Sequence, residues 1–266
     1  MTMKPFGELM PRLQALEIID NHIKPIKGTK KIPIGESNGR VIAENVVAGF
    51  DVPPFPRASM DGYAVKAKDT TGATEKKPIA LKLIGIQHTG GVFDGTVNDG
   101  ECLEIATGAP MPDGADAVVM VEYTNKDGEE VSIEGQVAPL RNMAEAGADM
   151  TKGTHVLSPG KTITPGVIGA LAALGYIEVE VYRKPRVAIY SSGPEIAPQG
   201  QALKPGQIYD INSYTLATVI EANGGVAVVI GIVEDTVESI KESLGSASEH
   251  DLWVVSGGSS VGTKDL

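Results

Sequence analysis

The chain has 266 residues, 42% of them hydrophobic, a formal net charge of -11 at pH 7 and a single cysteine. The length suggests roughly two domains with real cores. The acidic balance, without a dense Lys/Arg stripe, argues against a nucleic-acid-binding or anionic-membrane-binding surface. Cys102 alone excludes an intramolecular disulfide and a cysteine-rich metal site; within Glu101-Cys-Leu-Glu-Ile105 it reads as a packed thiol, not a nucleophile. The 32 glycines imply many tight turns and argue against an all-helical chain. The N-terminus lacks the apolar core of a signal peptide and no apolar run reaches membrane-spanning length, so a cytoplasmic protein with no membrane and no nucleic-acid partner is expected.

In chain order, Phe6 to His22 predicts an amphipathic helix, with Leu9, Leu13, Leu16, Ile19 (or Ile18) and Ile23 at helical spacing and His22 as a helix-end residue. Ile32 to Ile34 and Arg40 to Val47 are short apolar segments about a Ser-Asn-Gly turn. Val52-Pro53-Pro54-Phe55-Pro56 is stiff and extended, a connector into a second domain. Ala58 to Val65 turns into a strand. Ile79 to Ile86, Glu101 to Ala106, Ala117 to Tyr123 and Glu130 to Ile133 are short strands between Gly, Asp and Asn turns, the pattern of a small β-barrel or sandwich. Thr164 and Pro165 open a helix that runs to Leu174 and stops at Gly175. Its Ala, Gly and Leu content suits close packing, and it is expected to return to the first domain, making residues 48–140 an insertion.

After Pro185 the pattern alternates strand and helix. Arg186 to Ser191 and Val226 to Ile232 predict strands, with a helix from Asp210 or Asn212 to Asn223-Gly224 between them. Asp235-Thr-Val-Glu238 has capping-box spacing before a helix carrying Val237, Ile240 and Leu244 on one face. Asp251 to Val255 is a β-branched apolar run that predicts a buried strand. This βαβαβ order predicts a parallel sheet with right-handed crossovers.

Neighbouring parallel strands put their carboxyl ends on one edge, where open α/β sheets bind ligands. The loops expected there are Ser191-Ser192-Gly193-Pro194-Glu195, the segment through Glu234-Asp235, and Ser256-Gly257-Gly258-Ser259-Ser260-Val261-Gly262 running on to Asp265. Glycine N–H groups and serine hydroxyls suit an anion. The carboxylates Glu195, Asp235 and Asp265 repel one unless a hard divalent cation lies between, so the set points to metal-assisted phosphate or oxyanion chemistry. Plainer roles stand beside these: Asp235 as a helix cap alone, worth about 1 kcal/mol, Glu195 and Asp265 as solvated loop acids, Asp61 as a turn former, Thr107 as a strand end.

Four motifs occur in order: Ser59-Met-Asp-Gly-Tyr-Ala-Val65, Thr107-Gly-Ala-Pro110, Gly206-Gln-Ile-Tyr-Asp210 with Asn212, and Ser256-Gly-Gly-Ser-Ser-Val-Gly262. Together they closely resemble the molybdopterin molybdenumtransferase family, the bacterial MoeA proteins and the gephyrin E domain, over essentially the whole chain. The resemblance implies a multidomain α/β and β fold. An elongated mixed domain (1–47 and 141–182), for linkage and dimerisation, carries an inserted small β domain (48–140). A partial three-layer α/β molybdopterin-binding domain with a parallel sheet follows (183–266). It also implies insertion of molybdate into adenylylated molybdopterin with Mg²⁺ or Zn²⁺, releasing AMP. The working form would be a homodimer whose site is shared between subunits, with molybdopterin adenylyltransferase as upstream partner. Asp61, Thr107, Asp149, Glu195 and Asp235 match the family's site positions. The implied cation ligands are Glu195, Asp235 and Asp265. Ser192, Gly193, Ser256, Gly257, Gly258, Ser259, Ser260 and Gly262 would hold the pterin phosphate or pyrophosphate.

Two segments depart from the family pattern. Asn142-Met-Ala-Glu-Ala-Gly-Ala-Asp149 stands where the family carries an Arg-rich run, removing guanidinium forks suited to oxyanions. Ser192-Gly-Pro-Glu195 replaces Thr-Gly-Asp-Glu, removing an acid and stiffening the loop. The family's later elements do not follow Gly262, so a truncated chain is expected, with a three-stranded sheet short of covering elements. The competing functions are a non-catalytic molybdopterin-binding scaffold and molybdopterin adenylyltransferase, the latter disfavoured by Met60-Asp61-Gly62 in an inserted domain.

Overall fold

The computed structural model describes residues 10–234, 236–246 and 249–257. The chain forms two compact units: residues 45–159 with 165–177, and residues 1–44 with 160–164 and 178–266.

The first unit is built on a six-stranded sheet. In spatial order its strands are Ala117–Met120, Gly62–Val65, Glu101–Ile105, Thr74–Gln87, Glu130–Gly135 and Thr124–Asp127. Every pair is antiparallel except Thr74–Gln87 with Glu101–Ile105. Five of these strands overlap predicted ones, and Thr124–Asp127 was not predicted. All six form one open mixed sheet, rather than a closed barrel or two sheets, with apolar side chains on both faces. Alternation explains the two cores: Tyr63, Val65, Cys102 and Val119 pack on one side, Ala64, Leu103, Ile105 and Val118 on the other. Gly62 is a packing necessity, because a Cβ there would lie 1.9 Å from the Val119 carbonyl oxygen. A two-residue ribbon, Arg57–Ala58 against Met143–Ala144, lies in the same unit. So does the helix Pro165–Ala173, which ends into Gly175 at φ +78°.

The second unit opens with the helix Arg12–His22. It starts later than predicted because Pro11 takes an extended backbone (φ -59°, ψ 140°); residues 1–9 lie outside the described part. Its apolar stripe is exposed, Leu13 by 76%. His22 closes the last turn, its Nδ1 2.7 Å from the Ile18 carbonyl oxygen. Thr29–Pro33 pairs antiparallel with Glu178–Tyr182.

The rest of this unit is the predicted parallel sheet, in the order Val226–Val233, Arg186–Ser192, Leu252–Ser256. The central strand is buried from Val187 to Ser192. Both flanking strands expose apolar side chains, among them Val229, Ile232, Leu252 and Val255, with Trp253 38% exposed. The Trp253 strand was expected to be buried. Among the described residues it is an edge strand, bonded only to Arg186–Ser192. The helix Asn212–Ala222 ends at Asn223, with Gly224 at φ +84°. The next helix is Val237–Ser246, so its cap position is Thr236, one residue beyond the predicted Asp235. Thr236 Oγ1 accepts the Ser239 N–H at 3.2 Å, the bond a cap makes to the third helical residue.

Candidate functional site

Within the parallel-sheet unit, polar groups gather at the carboxyl edge. Register places Ser191 opposite Ser256 and Ser192 opposite Val233, so all three strands end on one rim. The Asn212 helix starts under this rim. Asn212 Nδ2 lies 2.5 Å from Ser256 Oγ, tying the helix start to the edge strand. Gly257 sits close over Ser192: a Cβ on Gly257 would meet Ser192 Oγ at 3.1 Å. Gly193 has φ +139°, and the Glu195 carboxylate fills the space a side chain there would need, both oxygens 2.6 Å from the would-be Cβ.

Below the rim lies a group that sequence reasoning assigned only to helix initiation. Asp210 is 6% exposed. Its Oδ1 accepts from Ser191 Oγ at 3.0 Å and from the Ser213 N–H at 3.1 Å, and the Ser191 and Ser213 hydroxyls lie 3.0 Å apart. Burial pushes the Asp210 carboxyl up, but the hydrogen bonds from Ser213, Ser191 and the Asn212 N–H outweigh it and hold the group below its ordinary value. A buried carboxylate kept ionised by its donors fixes the direction of two hydroxyls just beneath the carboxyl edge of the sheet. Gly206-Gln-Ile-Tyr-Asp210 was the available signal; the capping role hid the second one.

Within the six-stranded unit, the structure joins Asp61 to Thr107. Asp61 Oδ1 accepts both the Thr107 N–H at 2.6 Å and the Thr107 hydroxyl at 2.7 Å. These two donors, backbone first, hold the Asp61 carboxyl below its ordinary value. The Thr107 loop is strapped to the preceding segment: Gly108 N–H donates to Ala58 O at 2.8 Å, Ala58 N–H to Ala109 O at 2.9 Å, and Gly108 takes φ +82°. Asp149 Oδ2 lies 3.6 Å from Arg57 Nη2 across an exposed pair, and Arg57 is bridged to Pro110 of the Thr107 loop. Arg57 is a cation that sequence reasoning missed. Its strand partner is Ala144, within the run that lacks arginines, so only the cross-strand register reveals it.

Of the expected cation ligands, Glu195 alone is described, and Asp235 and Asp265 lie outside the described residues. So do Gly258, Ser259, Ser260 and Gly262 of the glycine-serine loop. Among the described residues no three His, Cys, Asp or Glu side chains gather into a metal-binding group. The described acids therefore do not by themselves make a cation site.

Two sequence profiles match the chain: the MoeA N-terminal region (domain I and II) over residues 10–175, and a domain described as a probable molybdopterin binding domain over residues 188–266. The chain belongs to the MoeA family. It is 37% identical over 236 residues to molybdopterin molybdenumtransferase 2 of Mycobacterium tuberculosis, covering 88% of this chain and 58% of that protein. It is 35% identical over 238 residues to the molybdopterin molybdenumtransferase of a Nostoc species, covering 89% of this chain and 55% of that one. A crystal structure of the molybdopterin biosynthesis MoeA protein from Pyrococcus horikoshii OT3 superposes with a TM-score of 0.88 at 37% identity, over 93% of this chain and 66% of the other. The chain thus spans somewhat more than half the length of the curated MoeA relatives it matches. The expected multidomain α/β and β architecture is that of these MoeA structures.

Proposed function

We propose that this chain acts in molybdenum cofactor synthesis, as the molybdate-inserting transferase or the part of it that spans these domains. Adenylylated molybdopterin and molybdate would be the substrates, and AMP would leave as the adenylate linkage is cleaved. The observation that carries the reading is the polar rim of a MoeA-family chain: Ser192, Gly193, Ser256 and Gly257 at one sheet edge, above hydroxyls oriented by an ionised Asp210. Backbone and hydroxyl donors at such an edge suit a pterin phosphate. The Thr107 N–H and hydroxyl both point at Asp61 Oδ1, so an oxyanion taken by Thr107 would displace that carboxylate from the same two donors.

The proposal extends to a cytoplasmic homodimer, in which the rim of one subunit and the Asp61 site of its partner share the substrate. Molybdopterin adenylyltransferase would supply the adenylylated pterin. A divalent cation, Mg²⁺ or Zn²⁺, would take Glu195 together with Asp235 and Asp265. No described helix is long and apolar enough to cross a membrane. The test is AMP release from adenylylated molybdopterin with molybdate and Mg²⁺. Release by the wild-type chain that is lost in Asp61→Ala supports the reading; no release, or equal release from both, defeats it.

A further inference from the structure

The strand Thr74–Gln87 ends beside the Asp61–Thr107 pair, and the turn after it carries His88. A cavity of about 240 Å³ opens there, lined among others by Asp61, Tyr63, Ile86, His88, Glu104 and Val121. The turn is fixed to the Thr107 loop at two points. Gln87, 3% exposed, donates through Nε2 to Pro110 O at 2.7 Å and accepts the Phe93 N–H on Oε1 at 3.0 Å. Thr89 Oγ1 donates to Thr107 O at 3.0 Å. Gly91 N–H closes the turn on His88 O at 3.0 Å, and Gly90 takes φ +83°. His88 therefore stands in a set place relative to Thr107.

The charges on this cavity are unequally engaged. Asp61 accepts both Thr107 donors, and Glu104 Oε2 accepts from Lys126 Nζ at 2.7 Å. Burial first, then the Glu104 charge, pushes the Tyr63 phenol up, so it stays neutral. Among the described residues the His88 imidazole has no hydrogen-bond partner. An oxyanion arriving at Thr107 meets two carboxylates, and the His88 imidazole on this wall can supply an N–H against them.

We propose that His88 contacts substrate at the Asp61–Thr107 site, donating an imidazole N–H to a tetrahedral oxyanion, phosphate or molybdate. This rests on the functional reading above. The test is calorimetric titration of the full chain with sodium molybdate and, separately, with AMP, in wild type, His88→Ala, His88→Lys and Thr107→Ala, while the His88 ring resonances are followed by NMR. His88→Ala is expected to weaken binding of one ion by about tenfold or more, the usual worth of a charged hydrogen bond. His88→Lys keeps most of the affinity, and the wild-type ring resonances shift on saturation. The ion affected tells molybdate from adenylate phosphate. Wild-type affinity for both ions in His88→Ala, with binding still lost in Thr107→Ala, overturns the assignment of His88 and leaves the broader reading standing. A wild-type chain that binds neither ion overturns both.

Discussion

Removing the Asp210 side chain is the sharpest test of how the rim is held. Asp210→Ala deletes an acceptor that serves Ser191 Oγ at 3.0 Å and the Ser213 N–H at 3.1 Å. The Ser213 bond is a helix-start bond, worth about 1 kcal/mol. The Ser191 bond runs to a buried charge, worth about 1.5–3 kcal/mol. The Ser191–Ser213 hydroxyl contact at 3.0 Å survives and offsets part of the loss. The net expectation is about 3 kcal/mol, a large share of the roughly 5–15 kcal/mol that stabilises a domain. Asp210→Asn keeps an acceptor oxygen and should lose about 1 kcal/mol. Urea unfolding at pH 7, followed by circular dichroism, measures both. The pH dependence has a definite sign. A folded carboxyl held below its ordinary value contributes stability that is fully present above the unfolded carboxylate range, near ~4, and is lost as pH falls through the folded value. Asp210→Asn lacks that acid-limb component. An alanine variant within about 0.5 kcal/mol of wild type, the range of a plain surface change, would refute the network's role.

Three further outcomes are expected. Gly62→Ala forces a Cβ to 1.9 Å from Val119 O and 3.0 Å from Met120 Cα, backbone atoms that cannot swing aside. It should cost at least the upper part of the ~1–3 kcal/mol typical of overpacking, read as a lower thermal midpoint. Cys102 is fully buried, and burial, with Glu101 and Glu104 nearby, pushes its thiol up to about 12. It should be inert to an aromatic disulfide reagent in the native chain at mildly alkaline pH and titrate fully in denaturant. Asp251 accepts from Arg183 Nη1 at 2.6 Å and Nη2 at 2.5 Å and from the Arg186 N–H at 2.8 Å; Arg183 chiefly holds its carboxyl down to about 2. Its contribution is complete above the unfolded carboxylate range near ~4 and lost as pH falls toward about 2, so Asp251→Asn should flatten the acid limb of stability against pH.

The parallel sheet was legible because its three apolar β-branched runs are separated by helical periods and a glycine stop. What surrounds a strand was less so. The Trp253 run has the composition of a buried strand, and burial depends on neighbours that the run itself does not encode. Cap assignment failed by one residue at Asp235-Thr236, where both side chains are good caps and only the helix start decides. Asp210 was legible as a helix starter but not as the anchor of Ser191, which precedes it by 19 positions. Asp61 and Thr107 were marked by their motifs, and their mutual bond spans 46 positions that only the sheet brings together. Arg57 and His88 carry no motif at all. The first is revealed by its cross-strand register with Ala144, the second by a turn pinned through Gln87 and Thr89.

A phosphorylated pterin that docks at the rim must touch the groups held there. Backbone amide chemical shifts of the chain, followed on titration with molybdopterin or AMP, test that directly. The expected perturbations centre on Ser191 to Gly193, Asn212, Ser213, Ser256 and Gly257. Saturable binding that leaves those amides unmoved, with the shifts gathered on other segments, would contradict it.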